Sequence, residues 1–162
     1  MNDVTIRPRY AEWELSKGTK EERRNAIYLS LHSNASATPG TSGTESYIHA
    51  YRLIQGSRSL RSAIHDELVG DLRQAWDRNW KDRGKKAADF GELRGLRTMP
   101  GVLLEMAFHD HRQDAKALSS PGFRQLNARA IYKGIVRYFA KKQGRRPVFL
   151  PEPPTLLLAQ NT

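Results

Sequence analysis

Ala26-Ile-Tyr-Leu-Ser-Leu-His32-Ser-Asn34-Ala-Ser36 opens as a short apolar, β-branched and aromatic run, then drops into Ser, Asn, Ala, Thr, Pro and Gly. That pattern predicts a buried strand ending in a loop, with His32 at the strand's mouth. Open α/β sheets bind ligands and metals outside the carboxyl ends of their strands, so an imidazole at such an end is placed to act as a ligand. A second apolar run, Gly101-Val-Leu-Leu-Glu105-Met-Ala-Phe108, ends in the same way and carries a carboxylate. Left charged and unpaired among such neighbours, Glu105 costs several kcal/mol. A functional role or a structural ion pair, for instance with Arg94 or Arg97, is the reason to expect it there.

Outward from these runs, Arg9 to Asn25 is charged, with a short helix expected around Glu21 to Asn25. Ser33 to Gly43 is a loop rich in small and turn-forming residues, long enough to be a lid or rim. Gly43 to Tyr51 alternates in size and polarity and predicts a second strand, with Glu45 at the edge of the site. Leu60, Ile64, Leu68 and Leu72 fall on one stripe of a helix. Trp76 to Lys86 reads as a polar turn and Ala88 to Leu93 as a short strand. His109 to Asp114 is a polar loop after the Glu105 run, followed by one or two helical turns to Leu118. Ser120 and Pro121 then open a long helix with Phe123, Leu126, Ala130, Ile131, Ile135, Tyr138 and Phe139 on its apolar face. His49 and His65 read as surface residues of a strand and a helix, and His109 and His111 as solvated loop residues rather than a metal clamp.

The chain of 162 residues has the length of one domain with a substantial core, and its 38% apolar residues suffice to fill it. No run approaches the roughly 18 apolar residues of a membrane helix, and Met1-Asn-Asp-Val-Thr-Ile-Arg lacks the apolar stretch of a signal peptide. Without cysteine, disulfides and thiol chemistry are excluded. The net charge of +10 calls for an anionic partner such as nucleic acid, a membrane or a cell-wall polymer, unless it marks only a solvated helical face. Six of those charges lie beyond residue 100, mostly on the last helix and its tail.

Four blocks carry a resemblance: Ser30-Leu-His32-Ser-Asn34-Ala, Gly43-Thr-Glu45-Ser-Tyr47, Ala88-Asp-Phe-Gly-Glu-Leu93-Arg94 and Met99-Pro100-Gly-Val-Leu-Leu-Glu105-Met-Ala-Phe108. In order and spacing, over roughly residues 26 to 140, they resemble the zinc-dependent N-acetylmuramoyl-L-alanine amidases of the amidase-3 type. The resemblance implies a three-layer α/β fold of the phosphorylase/hydrolase kind, with a largely parallel or mixed sheet flanked by helices. It implies Zn2+ as cofactor, peptidoglycan as partner rather than nucleic acid, and a periplasmic or extracellular place of action. Carried over by position, His32 is the last zinc ligand and Glu105 the catalytic glutamate. The family's first histidine and its ligand glutamate lie upstream of the His32 block, and no histidine precedes His32 here. The expectation is therefore a chain that begins inside the domain, and that binds zinc poorly by itself. Residues 1–143 are expected to form the catalytic domain. Residues 144–162 are expected to be a proline-rich linker, in which Pro153-Pro154-Thr155-Leu resembles the start of a fibronectin type III module. One departure from the family stands in Ala107-Phe108-His109-Asp110, where Gly commonly precedes the Phe and Ser-Asn follows it.

The chemistry agrees with that assignment. Amide hydrolysis near neutral pH needs an activated water and a stabilised oxyanion, which a zinc with an open coordination position supplies, using about three protein ligands. A nearby glutamate takes the water's proton and passes it to the leaving amine. Two alternatives stand beside it: a non-catalytic basic domain that binds cell wall or nucleic acid, and a metallopeptidase acting on other amides.

Overall fold

The computed structural model describes residues 3–151. Ten elements follow in order: α1 (Asp3–Lys17), α2 (Lys20–Asn25), β1 (Tyr28–Asn34), β2 (Thr44–His49), α3 (Ser57–Ala75), β3 (Asp82–Ala88), α4 (Gly91–Arg94), β4 (Gly101–Phe108), α5 (Arg112–Ser119) and α6 (Pro121–Lys142). The four strands form one open sheet in the order β1-β4-β2-β3. β1 runs parallel to β4, β2 parallel to β3, and β2 antiparallel to β4, so the sheet is mixed and flanked by helices, as expected.

The leucine stripe of α3 packs as its spacing requires: Leu60, Ile64, Leu68 and Leu72 are all fully buried. The first three meet Val102 and Leu104 of β4, Ile48 of β2, and Ala130, Ile131 and Tyr138 of α6. A Cβ on Gly134 would stand 2.5 Å from the Cα of Ile64, so α3 and α6 cross at a distance that only glycine permits. The opposite face of the sheet carries Leu103, packed with Leu93 and Leu96 around α4. On β4, Leu103 and Glu105 therefore face α4, while Val102 and Leu104 face α3 and α6, the alternation that a strand imposes.

Several expectations are corrected. Among the described residues β1, expected to be a buried strand with His32 at its mouth, is a partly exposed edge strand that runs on to Asn34. Residues 3–17 form a full helix that the charged sequence and Pro8 concealed. Pro8 is buried against Gly95, and the Glu12 carboxylate accepts N–H bonds from Arg97, Thr98 and Met99 at 2.7, 2.9 and 2.9 Å. Burial works against the Glu12 charge, but these donors outweigh it and hold the group below its ordinary range. Residues 82–86, expected to belong to a polar turn over 76–86, lie in the edge strand β3, and of the strand expected over 88–93 only Ala88 is strand, α4 taking over from Gly91. β3 evades a search for apolar alternation because none of its side chains is fully buried, so neither face needs an apolar set. His65 is fully buried: its ring hydrogen-bonds Ser46 at 2.9 Å and Asp82 at 2.8 Å, tying α3 to β2 and β3.

α6 starts at Pro121 with Ser120 before it, although the Ser120 side chain makes no capping bond. Leu150 turns back on α6, its N–H bonding the Tyr132 hydroxyl at 2.9 Å. The fibronectin-like similarity lies outside the described residues.

Candidate active site

β1, β4 and β2 lie side by side, and their register sets His32 opposite Glu105 and Glu105 opposite Glu45. Residues paired across neighbouring strands point to the same face, so an imidazole and two carboxylates share the α4 side of the sheet. The ring nitrogen Nε2 of His32 lies 2.9 Å from Ser30 Oγ and 3.9 Å from Glu92 Oε1, a carboxylate supplied by α4.

The two strand carboxylates live in opposite environments. Glu45 is 2% exposed and saturated: Asn34 and Tyr47 donate to Oε1 at 2.7 and 2.8 Å, and Arg83 and Lys86 donate to Oε2 at 2.8 and 2.5 Å. Its burial raises the pKa, but the bonds from Lys86, Tyr47 and Arg83 overcome that and hold it below the ordinary carboxylate range. Glu105 is 6% exposed, and its Oε2 is buried with no hydrogen-bond partner. Burial, reinforced by the charges of Glu45 and Glu92, pushes Glu105 up to about 7. The same neighbourhood raises the Tyr47 phenol, through burial first and its bond to Glu45 second.

Arg83 and Lys86 both reach Glu45 because β3 is irregular. Residues three apart in a strand face opposite sides, but Gly84, at φ +89°, sits where the β2–β3 register slips and restores both side chains to one face. Arg83 and Lys86 on β3, Glu92 on α4 and Asn34 on β1 were not singled out by sequence reasoning. Once Arg83-Gly84-Lys85-Lys86 is read as a bulged strand, the signal for the two cations is visible.

The rim is built by the loops after β1 and β4. The Asp110 carboxylate accepts the Ser36 N–H at 2.7 Å, and buried Asp114 accepts the N–H groups of Gly43 and Phe108 at 2.8 and 3.0 Å. His109 pairs with Ser33 at 3.1 Å and His111 with Asp114 at 3.1 Å, so neither faces the His32–Glu105 cluster as a ligand. His49 lies 3.3 Å from Asp89, apart from the cluster.

Zinc, the ion implied by the resemblance, takes about three protein donors in a catalytic centre. His32 is the one histidine of the cluster, and among the described residues no group of three or more histidine and acidic side chains is disposed to hold a metal. The described residues alone do not constitute that centre. What they do provide is a buried carboxyl with an open oxygen, poised near neutrality beside an imidazole.

A family model described as N-acetylmuramoyl-L-alanine amidase matches residues 8–137. The chain is 33% identical over 128 residues to an uncharacterized cell wall amidase of Bacillus anthracis, covering 75% of this chain and 23% of that protein. It is 31% identical over 113 residues to the amidase LytC of Bacillus subtilis, covering 70% of this chain and 21% of LytC. With the amidase CwlM of Bacillus licheniformis the identity is 35% over 112 residues, 69% of this chain and 40% of that one. The chain thus spans less than half the length of these three relatives. Among solved structures, the catalytic domain of the amidase CwlV from Bacillus (Paenibacillus) polymyxa matches with a TM-score of 0.66 at 24% identity, over 86% of this chain and 66% of that one. An amidase from Clostridium difficile 630 matches with a TM-score of 0.64 at 20% identity, over 86% and 82%.

Proposed function

The chain belongs to the N-acetylmuramoyl-L-alanine amidase family, and on that premise we propose that it hydrolyses the amide between N-acetylmuramic acid and L-alanine in peptidoglycan. Glu105 acts as general base and then general acid, and His32 is the imidazole offered to a zinc ion. The place of action is the cell wall, periplasmic or extracellular.

One observation carries the reading: the partnerless oxygen of a buried Glu105, in register with His32 on one face of the sheet. A carboxyl with a pKa near 7 accepts a proton from water and returns it to a departing amine at neutral pH, because neither transfer is far uphill. Glu45, locked as an anion by two cations, cannot take that part. It disfavours charge on Glu105 across the strand pair. The described residues lack a three-donor zinc set. The chain alone is expected to bind zinc weakly, through His32.

The test is digestion of purified peptidoglycan by this chain with zinc in excess, followed by labelling of newly exposed α-amino groups and a zinc isotherm. Slow release of amino-terminal alanine that disappears in Glu105→Gln, with weak zinc binding lost in His32→Ala, is the expected outcome. Release that survives Glu105→Gln, cleavage of a different bond, or zinc binding indifferent to His32 contradicts the reading.

A further inference from the structure

A concavity lies at the opposite end of the same strands from the His32–Glu105 cluster. It holds about 1020 Å³ and is walled by α2, the first turns of α3, the Thr98–Pro100 approach to β4, and the last turns of α6. Pro100 stands five residues before Glu105, about 16 Å along the strand, so the two sites are separate. Six cations line the cleft: Arg23, Arg24, Arg58, Arg137, Lys141 and Lys142. Among the described residues only Arg137 pairs with a carboxylate, that of Glu67. The one acidic lining residue, Asp66, is engaged by Lys85 at 2.7 Å. Arg23 and Lys142 spend hydrogen bonds on backbone carbonyls, which fix their positions without cancelling their charge. α3 opens at Gly56 with no side-chain cap, adding the positive end of a 19-residue helix to the same wall.

Like charges gathered in a concavity repel one another, and an anionic occupant relieves that repulsion. Four of the six cations are arginines, whose planar forks match the oxygens of a phosphate. The large exposed apolar side chains (Ile6, Tyr10 and Trp13 of α1, with Leu31, Tyr51, Leu53, Trp76, Val148 and Leu150) lie outside the cleft. The one aromatic residue lining the cleft, Tyr138, is buried at 6% exposure, so the cleft presents no exposed ring of the kind on which single-stranded nucleic acid stacks and no exposed apolar anchor of a bilayer-binding surface. Its hollow shape suits a thin chain rather than a plane.

We propose that this cleft binds a linear, base-free phosphodiester polymer, holding the protein on a phosphate-bearing matrix by contacts independent of its catalytic end. The inference does not rest on the amidase reading.

Binding of the chain to fluorescent poly(glycerol phosphate) oligomers across a salt series tests it. Oligothymidylate, polyglutamate and phosphatidylglycerol vesicles serve as competing probes. The triple variant Arg24→Glu, Arg58→Glu, Lys141→Glu is expected to weaken binding at least about tenfold and to flatten the dependence of log K on log salt by about 2, as losing three phosphate contacts requires. The milder pair Arg24→Gln, Lys141→Gln is expected to fall between, and it keeps the test decisive if the triple variant misfolds. Glu105→Gln should bind like the parent, so failure of the catalytic reading leaves this isotherm unmoved. Equal affinity of parent and variants overturns the proposal. So does tighter binding to oligothymidylate, to vesicles or to polyglutamate than to poly(glycerol phosphate).

Discussion

The carboxyl and amino ends of β1 and β4 are built from the same two strands, yet they carry opposite charge. Toward the carboxyl ends, His32, Glu105 and Glu45 stand in register across three strands, Glu92 lies 3.9 Å from the His32 ring, and one Glu105 oxygen is buried without a partner. At the amino ends, cations from α2, α3 and α6 crowd an open cleft with little to neutralise them. The difference lies in burial. The acidic end is packed against α4, where desolvation changes the protonation of Glu105; the basic end stays wet, where charges act by attraction. One end is suited to moving protons and the other to holding an anion.

The comparison breaks most visibly at Glu105. Replacing it with Gln should lower hydrolysis of the muramoyl–alanine amide by roughly 10²- to 10⁴-fold, the usual weight of a general base, read as the rate of amino-terminal alanine release. The same substitution should sharpen the contrast in stability. The folded chain keeps the Glu105 proton up to about 7, whereas the ordinary value is 4.5. Below 4.5 the group is protonated in both states; between 4.5 and about 7 the unfolded chain sheds the proton that the folded chain keeps, so stability falls across that window and levels off above it. Stability from this group is thus lost with rising pH, by about 3 kcal/mol at most. Urea titrations at pH 5 and pH 8 should show parent and Glu105→Gln alike at the lower pH and the variant more stable at the higher.

A smaller effect is expected at Glu45. Its removal as Glu45→Ala leaves Arg83 and Lys86 facing one another without their shared anion. The cost should be about 2 kcal/mol in a denaturant midpoint, below that of a fully buried pair because both cations still reach water. An unchanged midpoint would mean that the bulge at Gly84, not the ion pairs, fixes β3.

Much of this was legible before the structure. The apolar run around Glu105, the leucine stripe of α3 and the Pro121 start of α6 follow from periodicity and from the proline at a helix start, and each stands where it was expected; the His32 strand is present too, but it runs on to Asn34 and is only partly covered. The family followed from four blocks in order, and the family match covers the same region. What stayed hidden was set by tertiary contact. α1 owes its place to Glu12 capping three distant amides and to Pro8 fitting against Gly95, neither of which is a periodic signal. β3 is an edge strand of charged residues interrupted by a bulge. His65, read as a surface residue, is buried because Ser46 and Asp82 satisfy both of its nitrogens. The cationic cleft joins segments from residue 23 to residue 142, which no local window brings together.

The central claim is that Glu105 is a buried acid working near neutrality beside an anion that never titrates there. Carbon-13 NMR titration of the glutamate side-chain carboxyls, with Glu105 assigned by its loss in Glu105→Gln, tests this directly. A midpoint near 7 is expected, falling when Glu45 is replaced by Gln because one of the charges opposing ionisation is gone. A Glu105 midpoint near 4.5, unmoved by Glu45→Gln, would contradict it.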